Sequence, residues 1–184
     1  MAASAAIGHD APTRLGDSPG ETSPRGVRAK ETVMTVREVM STPPHTCQPT
    51  TDLAAVTKLM WDQDCGFVPV VDAGGHLAGV LTDRDICVAA ATRRQPPERI
   101  AAAQAMSTGV HACLPGDTLD AALSTMAKFQ VRRVPVIDTE GQLVGVVSMN
   151  DLVRAVGRRG GPSANAVVSA LAAVCAPQSI EAAG

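Results

Sequence analysis

Two short patterns in the chain have residue types suited to chemistry, and each occurs twice. Thr82-Asp83-Arg84-Asp85 and Ser148-Met149-Asn150-Asp151 both place a hydroxyl three residues before a carboxylate. A hydroxyl at a helix start leaves backbone N–H groups in the turn that follows, a ready seat for an anion. The carboxylate only accepts hydrogen bonds, which suits two neighbouring hydroxyls such as a ribose diol. The same spacing is also capping-box chemistry, contributing about 1 kcal/mol to a helix, and spacing alone does not choose between the two. The second pattern is His45-x-Cys47, repeated as His111-x-Cys113. On a strand, residues i and i+2 share a face, so two such pairs brought together would make a tetrahedral zinc set. The competing reading is a buried cysteine acting as a small hydrophobe. Cys65, Cys87 and Cys175 have no partner at metal-like spacing, and His76 falls in turn chemistry. The chain has no Cys-x-x-Cys, Walker loop or Gly-x-Ser-x-Gly, and a helix start accounts for the acid pair Asp83/Asp85. No catalytic set emerges, so the expectation is a protein that is not an enzyme.

Composition narrows the classes further. The chain has 184 residues, 45% hydrophobic and 18% charged, with net charge −2. That is one domain or two small ones, and it is not a disordered chain. The balanced charge argues against a surface built to hold phosphate backbones. With no Tyr, two Phe and one Trp, stacking platforms for single-stranded nucleic acid are almost absent. No run approaches the ~18 apolar residues of a membrane span, and Met1 to Val33 lacks a signal peptide's apolar segment. The expectation is a cytoplasmic protein with no membrane or nucleic-acid partner. Five cysteines, an odd number, fit a reducing compartment without a disulfide framework.

The elements that must position these residues follow from an internal repeat. Shifted by 66, the sequence meets itself without a gap: residues 39–90 and 105–156 share 19 identities in 52 pairs. Met40-Ser41-Thr42 meets Met106-Ser107-Thr108, and Val68-Pro69-Val70 meets Val134-Pro135-Val136. One copy, at ~60 residues, has a marginal core, so the two are expected to bury each other. Thr35 and Glu38 read as a capping box opening a short helix to Met40. A short strand is expected around Thr46, ended by Pro49. Asp52 to Asp64 carries Leu53, Val56, Leu59 and Met60 on a helical face, as do Leu119, Ala122, Leu123 and Met126 in copy two. Phe67–Val71 and His76–Leu81 flank Asp72-Ala73-Gly74-Gly75, a hairpin, and Thr82 then caps a helix through about Ala91. The order per copy is strand, helix, strand, strand, helix. The chain divides into a disordered tail (1–33), repeat one (34–91), a linker and leading helix (92–104), repeat two (105–157) and a C-terminal tail (158–184). In that last tail Ala164–Cys175 reads as a helix packed on its own domain, or on a second subunit.

A doubled strand-helix-strand-strand-helix unit with a Val-Pro-Val strand and a Gly-x-x-Thr/Ser-x-x-Asp turn resembles the CBS domain pair, or Bateman module, named after cystathionine β-synthase. The matching residues are Val68-Pro69-Val70 with Gly79 to Asp85, and Val134-Pro135-Val136 with Gly145 to Asp151. The chain is similar to small stand-alone actinobacterial CBS-pair proteins. The resemblance implies an α/β (α+β) fold with a pseudo-two-fold axis, a homodimer built on helices starting near Asp52, Thr82, Thr118 and Ser148, and no cofactor. It also implies an adenosine nucleotide ligand (AMP, ADP, ATP or S-adenosylmethionine). Thr82 and Asp85, and Ser148 and Asp151, would hold its ribose or phosphate. Adenine would lie in a slot lined by the segments around Thr46 and Ala112, with Val68 and Val134. In the family, the His45, Cys47, His111 and Cys113 positions are apolar and face the core.

The two copies differ in charge. Phosphate favours the bidentate fork of arginine, which makes Arg84, Arg132 and Arg133 candidate partners, while Asp83 opposes phosphate beside copy one. That repulsion puts Asp151 ahead of Asp85 as the ribose ligand. The expected function is a non-catalytic sensor read by an unknown protein partner. Its rivals are a metal- or thiol-responsive protein and a structural dimer with empty clefts.

Overall fold

The computed structural model describes residues 33–177, so the expected tail, apart from Val33, and residues 178–184 lie outside the described residues. Each repeat builds the same elements from the same signals. Asp52 caps α1 (Leu53–Asp62), its carboxylate accepting from Ala55 N–H at 2.9 Å. A hairpin follows, β1 (Phe67–Val71) and β2 (Leu77–Thr82), antiparallel with Pro69 opposite Val80. Its turn needs Gly75 at φ +84, and Asp72 accepts from the N–H groups of Gly74 and His76. The chain then enters α2 (Asp83–Arg93). In repeat two the series is α3 (Leu119–Phe129), β3 (Arg133–Ile137), β4 (Leu143–Ser148) and α4 (Met149–Ala155).

Two expected elements are shorter than the sequence suggests. The strand around Thr46 is a single bridging residue, Cys47 beside Val70, matched by Cys113 beside Val136. Pro43, Pro44 and Pro49 flank the first and Gly109, Pro115 and Gly116 the second, which denies either a longer ladder. The helix opening at Thr35 is one 3-10 turn, Val36–Glu38, with Glu38 accepting from the Thr35 N–H at 2.6 Å and hydroxyl at 3.0 Å.

The packing units are not the sequence repeats. There are two hydrophobic cores, not one shared between the copies. Leu53, Val56, Val68, Val70 and Leu81 build the first, and Leu119, Met126, Val134, Val136 and Leu152 the second. Each is completed by the segment that leads into the other repeat. Val36 is fully buried in the second core, its N–H bonded to Asp117 O at 2.9 Å. Ile100 and Ala102 are fully buried in the first, with Ala102 N–H on Thr51 O at 2.7 Å. The crossed segments also extend the sheets, Ser107 pairing with Val80 and Ser41 with Val146. Only glycine fits beneath them. A Cβ on Gly79 would sit 2.7 Å from Met106 Sδ and 2.9 Å from Ser107 O; on Gly145 it would sit 2.7 Å from Met40 Sδ. The hairpin tips meet on the pseudo-two-fold axis, where Leu143 N–H donates to Gly75 O at 3.1 Å and His76 bridges Gln142.

A fifth helix, α5 (Ala164–Cys175), is capped by Ser163 and buries Val167 and Ala170 against α3 and α4. It packs on its own domain. Among the described residues no α-helix lies over α1 and α2 in the same way; only the 3-10 turn Pro97–Arg99 reaches α1, and Trp61 is 85% exposed.

Candidate functional site

Two clefts lie on either side of the axis, and each is built from both repeats. Cleft one, of about 710 Å³, takes Val80 and the β2–α2 turn from repeat one. Its far wall is Val110, His111, Phe129 and Pro135 from repeat two, with Val174 of α5 beside them. His111 stacks on Phe129 with ring centroids 3.2 Å apart, which makes an aromatic wall. Gln130 ties that wall to α5, its Nε2 donating to Ala173 O at 3.2 Å and Ala176 O at 3.1 Å. Cleft two, about 590 Å³, is the symmetry counterpart, with Val146 facing Pro69; Gln63 stands where cleft one has Phe129, and although Phe67 also lines this cleft, no stack on His45 forms among the described residues.

The β2–α2 turn holds its carboxylate firmly. Asp85 Oδ2 accepts from the Thr82 N–H and hydroxyl, both at 2.8 Å, while Thr82 Oγ1 accepts from Asp85 N–H at 3.2 Å. This is the capping box, and it does not exclude a ligand, because among the described residues nothing engages Oδ1. The expected free N–H groups are another matter. Asp83 N–H reaches Gly66 O at 3.4 Å, Arg84 N–H donates to the Asp83 side chain at 2.8 Å, and Asp85 N–H is held by Thr82. The first turn of α2 is therefore already satisfied, which corrects its reading as an open anion seat. Positive charge comes from side chains instead: Arg84, Arg132 and Arg133 line cleft one against Asp83 and Asp85, three cations to two anions.

In cleft two the carboxylate of the corresponding turn is held at both oxygens. Asp151 Oδ2 accepts from the Ser148 N–H at 2.8 Å and hydroxyl at 2.5 Å, and Oδ1 accepts from the Arg154 guanidinium at 2.7 Å. Asp151 is 8% exposed, the one charged side chain buried among the described residues. Arg133 and Arg154 balance Asp64 and Asp151 in this cleft.

The other expected site residues divide. Val68 and Val134 are fully buried in the two cores; strand alternation turns Pro69 and Pro135 to the clefts in their place. Thr46 and Ala112 do not line the clefts either, where their neighbours His45 and His111 do. The His-x-Cys pairs fail as a metal set, since the histidines are exposed at the clefts while Cys47 and Cys113 are buried in separate cores. Among the described residues no three His, Cys, Asp or Glu side chains gather. Burial pushes the Cys47 thiol up to about 11, and burial, helped by the charge of Asp117, raises Cys113. Both stay protonated, unlike thiolate ligands. Sequence reading missed Phe129, Val174 and Arg154. Arg154 had a visible signal, an Asp-x-x-Arg spacing within one helix; the other two depended on how separate elements converge.

The family model of the CBS domain matches residues 36–91 and again 102–158. The chain belongs to the CBS-domain family. Among its relatives is the CBS domain-containing protein YhcV of Bacillus subtilis, 34% identical over 117 residues, 64% of this chain and 81% of that one. Of solved structures, the CBS domain pair of protein MJ0100, in complex with 5′-methylthioadenosine and S-adenosyl-L-methionine, superposes with a TM-score of 0.61 at 25% identity. The match covers 66% of this chain and 94% of that one. Hypoxic Response Protein I, solved with two coordinated zinc ions, superposes at 0.62 with 29% identity, covering 67% and 99%. The sequence of that protein is from Mycobacterium tuberculosis. The fold of this CBS pair is thus an α+β arrangement of two CBS repeats.

Proposed function

We propose that this CBS pair is a non-catalytic regulatory module that takes an adenosine nucleotide in cleft one. The observation that carries this reading is the state of Asp85, which lines a cleft of about 710 Å³ with one oxygen fixed by Thr82 and the other unengaged among the described residues. A ribose diol fits an acceptor-only carboxylate held in that way. The His111–Phe129 stack, with Val80, Val110 and Val174, offers adenine a flat apolar slot. Arg84, Arg132 and Arg133 supply phosphate with forked donors that the first turn of α2 lacks. The relative MJ0100, with two adenosyl ligands in its CBS pair, supports the ligand class. Asp85, not Asp151, is the favoured ribose ligand, because its second oxygen is open. Binding across two repeats favours one relative arrangement of them, which a protein partner then reads. The chain assembles as a homodimer through α1 and α2, since α5 already covers the α3 and α4 face.

The test is a melting screen against AMP, ADP, ATP and S-adenosylmethionine. A millimolar nucleotide with micromolar affinity adds ~4 kcal/mol and a clear rise in Tm. No shift with any of the four leaves a structural dimer with empty clefts as the better reading.

A further inference from the structure

The two clefts carry the same carboxylate on the same turn, yet in different states. Asp85 Oδ1 is unengaged among the described residues, whereas Asp151 Oδ1 is held by Arg154 at 2.7 Å. The difference traces to one position. Three residues after the carboxylate, repeat one has Val88 and repeat two has Arg154. Side chains at i and i+3 of a helix are neighbours, so this position sits over the carboxylate. A valine there offers no donor. An arginine donates to the oxygen a diol would need, and it sets a full positive charge against the carboxylate where a hydroxyl brings none. The Asp151 side chain is 9% exposed, which shields this pair from water, although the Arg154 stem lies outside at 75%. The opposite wall of cleft two also lacks the stacked pair of cleft one, with Gln63 in place of the Phe129 ring.

We propose that Arg154 is a built-in occupant of the diol seat in cleft two, so that one chain takes one nucleotide, at Asp85. The residue three places after the carboxylate decides which cleft binds. This rests on the reading of cleft one as a nucleoside site.

The experiment counts nucleotide bound per chain by equilibrium dialysis, run separately with AMP, ATP and S-adenosylmethionine. Wild-type protein is expected to bind one equivalent. Arg154→Val, which copies repeat one into repeat two, is expected to add a second equivalent at least tenfold tighter than any residual wild-type binding there. Val88→Arg, the reciprocal change at a half-exposed position, is expected to weaken the first equivalent about tenfold. Two equal equivalents in wild type, or a single equivalent in folded Arg154→Val, overturns the proposal. If Arg154→Val does not fold, Val88→Arg decides alone: weakened binding supports the proposal, and unchanged or tighter binding overturns it. Should wild type bind nothing while Arg154→Val binds one equivalent, the role of Arg154 stands and the reading of cleft one falls. Binding by none of the three proteins overturns both.

Discussion

Asp85 and Asp151 are interchangeable by residue type and distinct by partner. Asp85→Asn keeps the shape of the turn and removes the charge, so nucleotide binding weakens by ~1.5–3 kcal/mol, roughly ten- to hundredfold. Asp151→Asn leaves that affinity within about twofold and instead lowers the melting temperature, because a buried carboxylate loses its ion pair with Arg154. Calorimetric titration and thermal melts on the two variants check both halves. The roles of Thr82 and Ser148 as caps were legible from spacing, but the free oxygen was not, since it depends on what the next helical turn places above the carboxylate. The cysteines give a second residue-scale outcome. Cys47 is pushed from its ordinary 9.0 to about 11 by burial, so the unfolded chain loses that proton first as pH rises. Its contribution to stability is complete below pH 9.0 and declines between 9.0 and about 11. Urea midpoints measured across that window fall for wild type and fall less for Cys47→Ala. At neutral pH, alkylation labels the exposed Cys87 and Cys175 and spares Cys47 and Cys113.

At the scale of elements, the hairpins and helices followed their local signals closely. α1 starts where Asp52 caps it, and α5 spans Ala164–Cys175 as its apolar period indicates. Local signals say nothing of neighbours, which is why Val68 and Val134 were expected in the clefts. Both faces of β1 and β3 are covered, one by core and one by cleft, and a Val-Pro-Val run does not tell which is which. The glycines of β2 and β4 are governed by the crossed segments above them. Gly79→Ala drives a methyl into Met106 Sδ and the Ser107 carbonyl, and the backbone atom cannot rotate away. A loss of ~1–3 kcal/mol is expected in chemical denaturation, the range of overpacked cores. By contrast, Ala55→Gly on the exposed side of α1 costs only about 1 kcal/mol through helix propensity.

For the whole molecule, the exposed helical face of repeat one sets the expected assembly. Trp61 is the chain's only tryptophan and stands 85% exposed at the end of α1. The proposed homodimer buries this face, so light scattering is expected to give twice the 18.9 kDa chain mass at micromolar concentration. Tryptophan emission shifts to the red on dilution as Trp61 meets water, and Trp61→Glu yields the monomer. The doubled sequence announced two equivalent halves, yet which strands of chain complete which core lay beyond it. A gapless repeat is satisfied equally by two self-contained lobes and by lobes that exchange their leading segments. Only the exchanged arrangement buries Val36 and Ile100 completely.

That exchange has a consequence for connectivity. Cleave the peptide chain at the exposed Arg94-Gln95 linkage, between α2 and the turn Pro97–Arg99, and each fragment carries a piece its counterpart cannot do without. The N-terminal fragment keeps Met34 and Val36, which belong inside the C-terminal one; the C-terminal fragment keeps Ile100 and Ala102, which belong inside the N-terminal one. Neither is a free-standing lobe, and together they form a mutual clasp. Covalent continuity at the linker then matters chiefly as an enforced high local concentration. A single ancestral unit of this design would have folded by trading its first segment with a twin, and gene fusion would have turned that two-body encounter into a one-chain event.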